Sequence, residues 1–122
     1  MSKTILMVDD SSTMRKLLRY TLAAQGHAVH EAEDGVAAVE WLSSNPQPDL
    51  VITDLNMPRM DGIGLVEAVR AQDVHRHMPI LILSTESSDE KQEQAAQAGA
   101  NGWLVKPFDP GRLASAIASV AP

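Results

Sequence analysis

Four short apolar runs in this chain break off abruptly at polar residues, and longer amphipathic stretches separate them. Ile5-Leu6-Met7-Val8 is followed by Asp9-Asp10, and Leu50-Val51-Ile52 by Thr53-Asp54. Pro79 to Leu83 gives way to Ser84, and Gly102 to Val105 gives way to Lys106. Runs this short and apolar suit strands buried on both faces of a parallel sheet. Their alternation with helical stretches is the pattern of βαβ units. In an open parallel sheet the residues that end the strands lie along one edge, where such folds bind ligands. Three carboxylates, a hydroxyl and an ammonium are therefore expected to meet there.

The intervening segments fit this frame. A helix is predicted from about Thr13 to Gln25, with Met14, Leu17, Leu18 and Leu22 as its buried stripe and Gly26 ending it. Ala28 to Ala32, interrupted by His30, is predicted as an edge strand. A second helix covers Val36 to Ser43 and closes at Asn45-Pro46-Gln47-Pro48. Met57 to Gly62 is a turn-rich loop, and a third helix carries Leu65, Val66 and Val69. Asp89 to Ala98 is a polar fourth helix whose acidic start suits the helix dipole. Arg112 to Val120 lies in the last helix.

Composition narrows the function classes. A length of 122 residues suits one domain, and aromatics at 3% leave the core to aliphatic side chains. A net charge of −6 disfavours nucleic acid and anionic lipid as partners. The absence of cysteine excludes disulfides, thiolate zinc sites and cysteine nucleophiles. No apolar run approaches the about 18 residues of a membrane helix, and Met1-Ser2-Lys3-Thr4 enters a strand-like run rather than a secretory signal. A cytoplasmic monomer is the expectation.

Three carboxylates at close quarters repel one another unless a cation intervenes. Oxygen donors with room for water suit Mg²⁺. Asp54, at the tip of a central strand, is then the natural nucleophile, because a carboxylate can form an acyl phosphate. Lys106 can neutralise the incoming charge and Ser84 can donate to a phosphoryl oxygen. Plainer readings stand beside these. Asp10 can cap the first helix, with Ser11, Ser12 and Thr13 as rivals. Ser84 can satisfy a nearby amide, Trp103 can be packing, and Lys106 can be a solvated loop residue. His27, His30, His75 and His77 lack further ligands at suitable spacing and are expected to be exposed loop and edge-strand residues.

These residues resemble the response-regulator receiver domain family, and within it the single-domain CheY-like chemotaxis group. The resemblance rests on Val8-Asp9-Asp10-Ser11-Ser12-Thr13-Met14-Arg15, Glu31-Ala32-Glu33-Asp34-Gly35, Asp54-Leu55-Asn56-Met57-Pro58-Arg59-Met60-Asp61-Gly62 and Gly99-Ala100-Asn101-Gly102-Trp103-Leu104-Val105-Lys106-Pro107-Phe108. It implies that residues 1–122 form one receiver domain with a flavodoxin-like, doubly wound α/β fold. Five parallel strands would run in order 2-1-3-4-5 with five helices, and the site would sit between strands 1 and 3. It implies that Asp54 takes a phosphoryl group from a phosphohistidine on a sensor histidine kinase. Asp10 and Asp54 would ligate Mg²⁺, Asp9 would assist through water, and the Asn56 backbone carbonyl would add another oxygen. Ser84 would move toward the phosphoryl group and let Trp103 rotate inward, altering the face of helix 4, strand 5 and helix 5. Lys106-Pro107 resembles the family's cis peptide.

Three positions depart from the family's habit. Ser84 stands where many relatives have Thr, and Trp103 where Tyr or Phe is common. Thr85 is β-branched and restricts a rotating ring. Asn56 and Glu86 resemble polar residues that modulate acyl-phosphate hydrolysis, implying a short-lived signal. The expected product is a phosphoacceptor module with self-catalysed phosphorylation and dephosphorylation rather than an ordinary enzyme. A flagellar switch protein or a phosphatase is a further candidate partner, and a phosphate sink or relay is the alternative role. A haloacid-dehalogenase-like phosphatase would need an acid where Asn56 stands. A flavin carrier cradling phosphate at Ser11-Ser12-Thr13 would set that phosphate against Asp9 and Asp10.

Overall fold

The computed structural model describes residues 2–122. Its elements in chain order are β1 (Thr4–Val8), α1 (Ser12–Ala24), β2 (Ala28–Ala32), α2 (Gly35–Ser44), β3 (Leu50–Asp54), α3 (Gly62–Arg70), β4 (Ile80–Ser84), α4 (Asp89–Ala98), β5 (Gly102–Val105) and α5 (Pro110–Val120). All strand pairs are parallel and the sheet order is β2-β1-β3-β4-β5. This is the doubly wound, flavodoxin-like α/β arrangement. The order reverses between β1 and β3, which opens a crevice beyond their carboxyl ends.

Strand side chains alternate between two cores. Ile5, Met7, Leu50, Ile52, Leu81 and Leu83 face α1 and α5, meeting Leu18, Leu22, Leu113 and Ile117. Leu6, Val8, Val51, Ile80 and Ile82 face the other helices, meeting Ala38, Leu42, Leu65, Val66, Val69 and Ala95. Each fully buried Leu or Ile contributes about 2 kcal/mol of transfer free energy. Both faces are covered, which is why the central strands are apolar throughout. β2, at the edge, is mostly exposed.

Each of the five α-helices starts on a side-chain cap. Ser11, Asp34, Asp61, Ser88 and Asp109 each accept from a backbone N–H of the first turn. These caps correct several boundaries. Ser11, not Asp10, caps α1, which leaves Asp10 free for another role. Asp61, within the turn-rich loop, caps α3, and Asp34 caps α2. Asp109 with Pro110 starts α5 ahead of Arg112. Leu17 does not join the buried stripe: it is 56% exposed beside Tyr20, because Met14, Leu18 and Leu22 form one i,i+4 row and Leu17 lies about 100° from it.

His75 is likewise not an exposed loop residue. A 3₁₀ turn, Asp73–His75, follows α3 and tucks the ring inward, where Nδ1 lies 2.9 Å from Gln47 Oε1. His77 is exposed. His27 Nδ1 accepts from the Lys3 amide at 3.1 Å, and burial holds its pKa below the usual value. His30 packs against Trp41 with ring centroids 5.0 Å apart and the ring planes tilted by 39°.

Candidate functional site

The site forms where β1, β3 and β5 end. Asp9 follows β1 and is 2% exposed, Asp10 beside it is exposed, and Asp54 closes β3 half-buried. One carboxylate oxygen from each lies within 4.8 Å of the other two. Lys106 enters from the end of β5, and its Nζ donates to Asp54 Oδ1 at 3.2 Å and to Asp9 Oδ2 at 3.4 Å. The structure therefore brings together four of the residues that the strand-end pattern singles out.

Neighbouring backbone fixes two of the three carboxylates. The Leu55 N–H donates to Asp54 Oδ1 at 2.9 Å, and the Ser11 N–H donates to Asp9 Oδ1 at 2.9 Å. Arg15 donates through Nη1 to the Asp9 carbonyl at 2.6 Å and pairs with Glu31, tying the end of β1 to β2. The strand-end pattern gives Arg15 no task. Its position four residues after Ser11, inside the first turns of α1, is the signal that points to one. On the far side the Gly62 N–H donates to the Leu55 carbonyl at 2.8 Å. A Cβ on Gly62 would stand 2.5 Å from the Asp54 carbonyl oxygen. Gly62→Ala is expected to cost about 2–3 kcal/mol, because backbone rather than a flexible side chain must give way. Urea unfolding of the variant checks this, and an unchanged midpoint would refute the close approach.

Electrostatics in the crevice favour a cation. Burial pushes the Asp54 carboxyl above the usual carboxylate range; Lys106 opposes that shift and Asp9 adds to it. Three carboxylates against one ammonium leave the crevice two charges negative. Oxygen donors that are partly open to solvent fit a hard divalent ion such as Mg²⁺, which holds water alongside one or two carboxylates. Thiolates are absent from the chain, and this acidic trio is the one such cluster among the described residues. The residues present fit a bound divalent cation.

The remaining candidates lie around this centre. Asn56 is exposed at the start of the β3–α3 loop. Ser84 ends β4 and is 1% exposed; its Oγ accepts from the Glu86 N–H at 3.0 Å. Its hydroxyl thus serves the plainer strand-end role in this arrangement. Trp103, partly buried, donates through Nε1 to the Glu86 carbonyl at 3.1 Å. Glu86 is held from both sides, so Ser84 and Trp103 are linked through one loop residue. Thr85 is exposed. Lys106-Pro107 is a cis peptide, in line with the resemblance.

Fold and site together define a doubly wound α/β signalling domain with an acidic crevice at its switch point. The chain belongs to the response regulator receiver domain family, whose sequence description matches residues 5–118. It is a two-component response regulator by that membership. A Chemotaxis protein CheY homolog of Campylobacter jejuni is 46% identical over 107 residues, covering 87% of this chain and 82% of that protein. The crystallised chemotaxis protein CheY4 of Vibrio cholerae superposes with a TM-score of 0.92 at 40% identity, covering 98% of this chain and 99% of that one. The receiver domain of a Pseudomonas aeruginosa sensor histidine kinase, described with a magnesium ion coordinated in its active-site cleft, matches at TM-score 0.88 and 27% identity over the full length of both chains.

Proposed function

We propose that this chain is a CheY-like response regulator of chemotaxis, acting as one receiver domain over residues 1–122 and switched by phosphorylation of Asp54. The observation that carries this reading is the convergence of Asp9, Asp10 and Asp54 within 4.8 Å, with the Lys106 ammonium on Asp54. An Asp54 oxygen attacks the phosphorus of a phosphohistidine on a sensor histidine kinase. The P–O bond forms as the P–N bond breaks, and the departing imidazole takes up a proton. Asp10, Asp54 and the Asn56 carbonyl would hold Mg²⁺, with Asp9 acting through water. The bound ion supplies positive charge against the phosphoryl oxygens.

Lys106 supplies the second positive charge, already within reach of Asp54. Ser84 swings to donate its O–H to a phosphoryl oxygen, which draws its Oγ away from the Glu86 N–H. That releases Glu86, to which Trp103 is tied, and so alters the α4–β5–α5 face that a partner reads. Asn56 and Glu86 flank the path of an attacking water and set how fast the acyl phosphate hydrolyses. The working setting is a cytoplasmic monomer; among the described residues no helix is long and apolar enough to cross a membrane. The output partner is a flagellar switch protein, with a phosphatase as a second contact.

Intact-mass spectrometry with Mg²⁺ and acetyl phosphate tests the chemistry. Wild type is expected to gain one phosphoryl group and Asp54→Asn none. An adduct that survives in Asp54→Asn, or fails to form in wild type, would sink the proposal.

A further inference from the structure

The β3–α3 loop, residues 55–61, carries Asn56 and contains an anomaly. Arg59 has φ +64°, a left-handed conformation that a long side chain rarely adopts. Its guanidinium forks onto Asp34, donating through Nε to Oδ2 at 2.7 Å and through Nη2 to Oδ1 at 3.0 Å. Asp34 is 4% exposed and also caps α2, accepting from the Ala37 N–H at 2.9 Å. Next to the fork, the Gly35 N–H donates to the Met60 carbonyl at 3.3 Å. A Cβ on Gly35 would stand 2.8 Å from that oxygen, so the loop lies directly on the start of α2. The loop's other end is tied back through Gly62 to Leu55.

We infer that the Asp34–Arg59 pair is a positioning device for the divalent-cation site: it seats the β3–α3 loop so that the Asn56 carbonyl faces the Asp10 and Asp54 carboxylates. This rests on the proposed reading of Asn56 as a metal ligand. The physical ground is that a left-handed Arg is held only where its surroundings over-determine it. Here the surroundings are a two-point, charge-assisted contact to a buried acid. The Arg59 side chain is 54% exposed, so what sets this contact apart from an ordinary surface ion pair is its bidentate geometry on a buried carboxylate. Since Asp34 sits at the start of α2 and Asn56 three residues before Arg59, the contact fixes a loop that covalent geometry alone leaves mobile.

The test uses Mg²⁺ alone, titrated into the intact chain and followed by NMR shifts of the Asp54 to Met57 amides. The paired variant Asp34→Asn with Arg59→Gln keeps the net charge and the helix cap but removes the fork. It is expected to bind Mg²⁺ about tenfold more weakly than wild type, as loss of an orienting contact around a metal typically does. The same neutral exchange at the exposed Asp73–Arg76 pair, Asp73→Asn with Arg76→Gln, is expected to change nothing. Thermal melts of both variants set the titration temperature well below unfolding. If the paired variant does not fold, Arg59→Lys, which keeps the charge and loses the fork, carries the test with weaker binding expected. A folded Asp34–Arg59 variant with wild-type Mg²⁺ affinity overturns the inference. A wild type that shows no Mg²⁺ response overturns the metal reading itself, and the inference falls with it.

Discussion

Lys106→Met is expected to slow phosphorylation of Asp54 by acetyl phosphate about a hundredfold while tightening Mg²⁺ binding. Both effects follow from the two contacts that the Lys106 ammonium makes, 3.2 Å to Asp54 and 3.4 Å to Asp9. In the transfer step charge develops on the phosphoryl oxygens beside Asp54. A fixed, largely buried cation there is worth about two to three orders of magnitude in rate when removed. In the resting protein the same cation competes with a metal for the same carboxylates. Methionine keeps most of the length of the side chain and leaves three uncompensated acids, so a divalent ion binds into a more negative crevice. The opposite signs make the prediction hard to mimic by general damage, since a collapsed site loses both properties. Rates from timed intact-mass spectra and affinities from Mg²⁺ titration provide the check. A variant with a normal rate, or with weakened metal binding, contradicts the assigned role.

The parts of this molecule that strand-end chemistry governs are legible in the amino-acid order alone. Asp9, Asp10, Asp54 and Lys106 each follow an apolar run, and a parallel sheet leaves such residues one place to go. Boundaries set by capping are less accessible, because Asp10, Ser11, Ser12 and Thr13 are all competent caps and only the backbone geometry selects Ser11. Leu17 misleads because an apolar residue at helical spacing counts toward a stripe whether or not the helix is rotated to bury it. His75 misleads for a related reason. Its burial depends on a single 3₁₀ turn and on Gln47, 28 residues away, which no local pattern connects. Arg59 and Asp34 are 25 residues apart and each has an ordinary local reading, so their pairing emerges only once β2 and β3 flank β1 in the sheet.

Asp54→Asn is expected to fold more stably than wild type at neutral pH without metal, and to lose that advantage as Mg²⁺ is added. Burial and Asp9 hold the Asp54 carboxyl above the usual range, despite the opposing pull of Lys106. An acid whose folded-state pKa is raised favours folding when protonated. That contribution is fully present below the unfolded value of about 4 and is lost as pH rises through the raised folded value. At pH 7 the ionised group therefore counts against the fold, and the isosteric amide removes the charge. A gain on the order of 1 kcal/mol would shift the melting midpoint by about 4 °C in a chain of this size. The difference between variant and wild type should shrink as pH is lowered toward the acid range. Mg²⁺ acts the other way: an ion held at about a hundred times its Kd adds about 2.7 kcal/mol to wild type, and less to a variant that has lost one anionic ligand. Melting curves across pH, with and without MgCl₂, decide the matter. Equal midpoints for the two proteins in metal-free buffer at pH 7 would mean that the ionised Asp54 carboxylate carries no net penalty in this crevice, and the case for a cation there would lose its energetic basis.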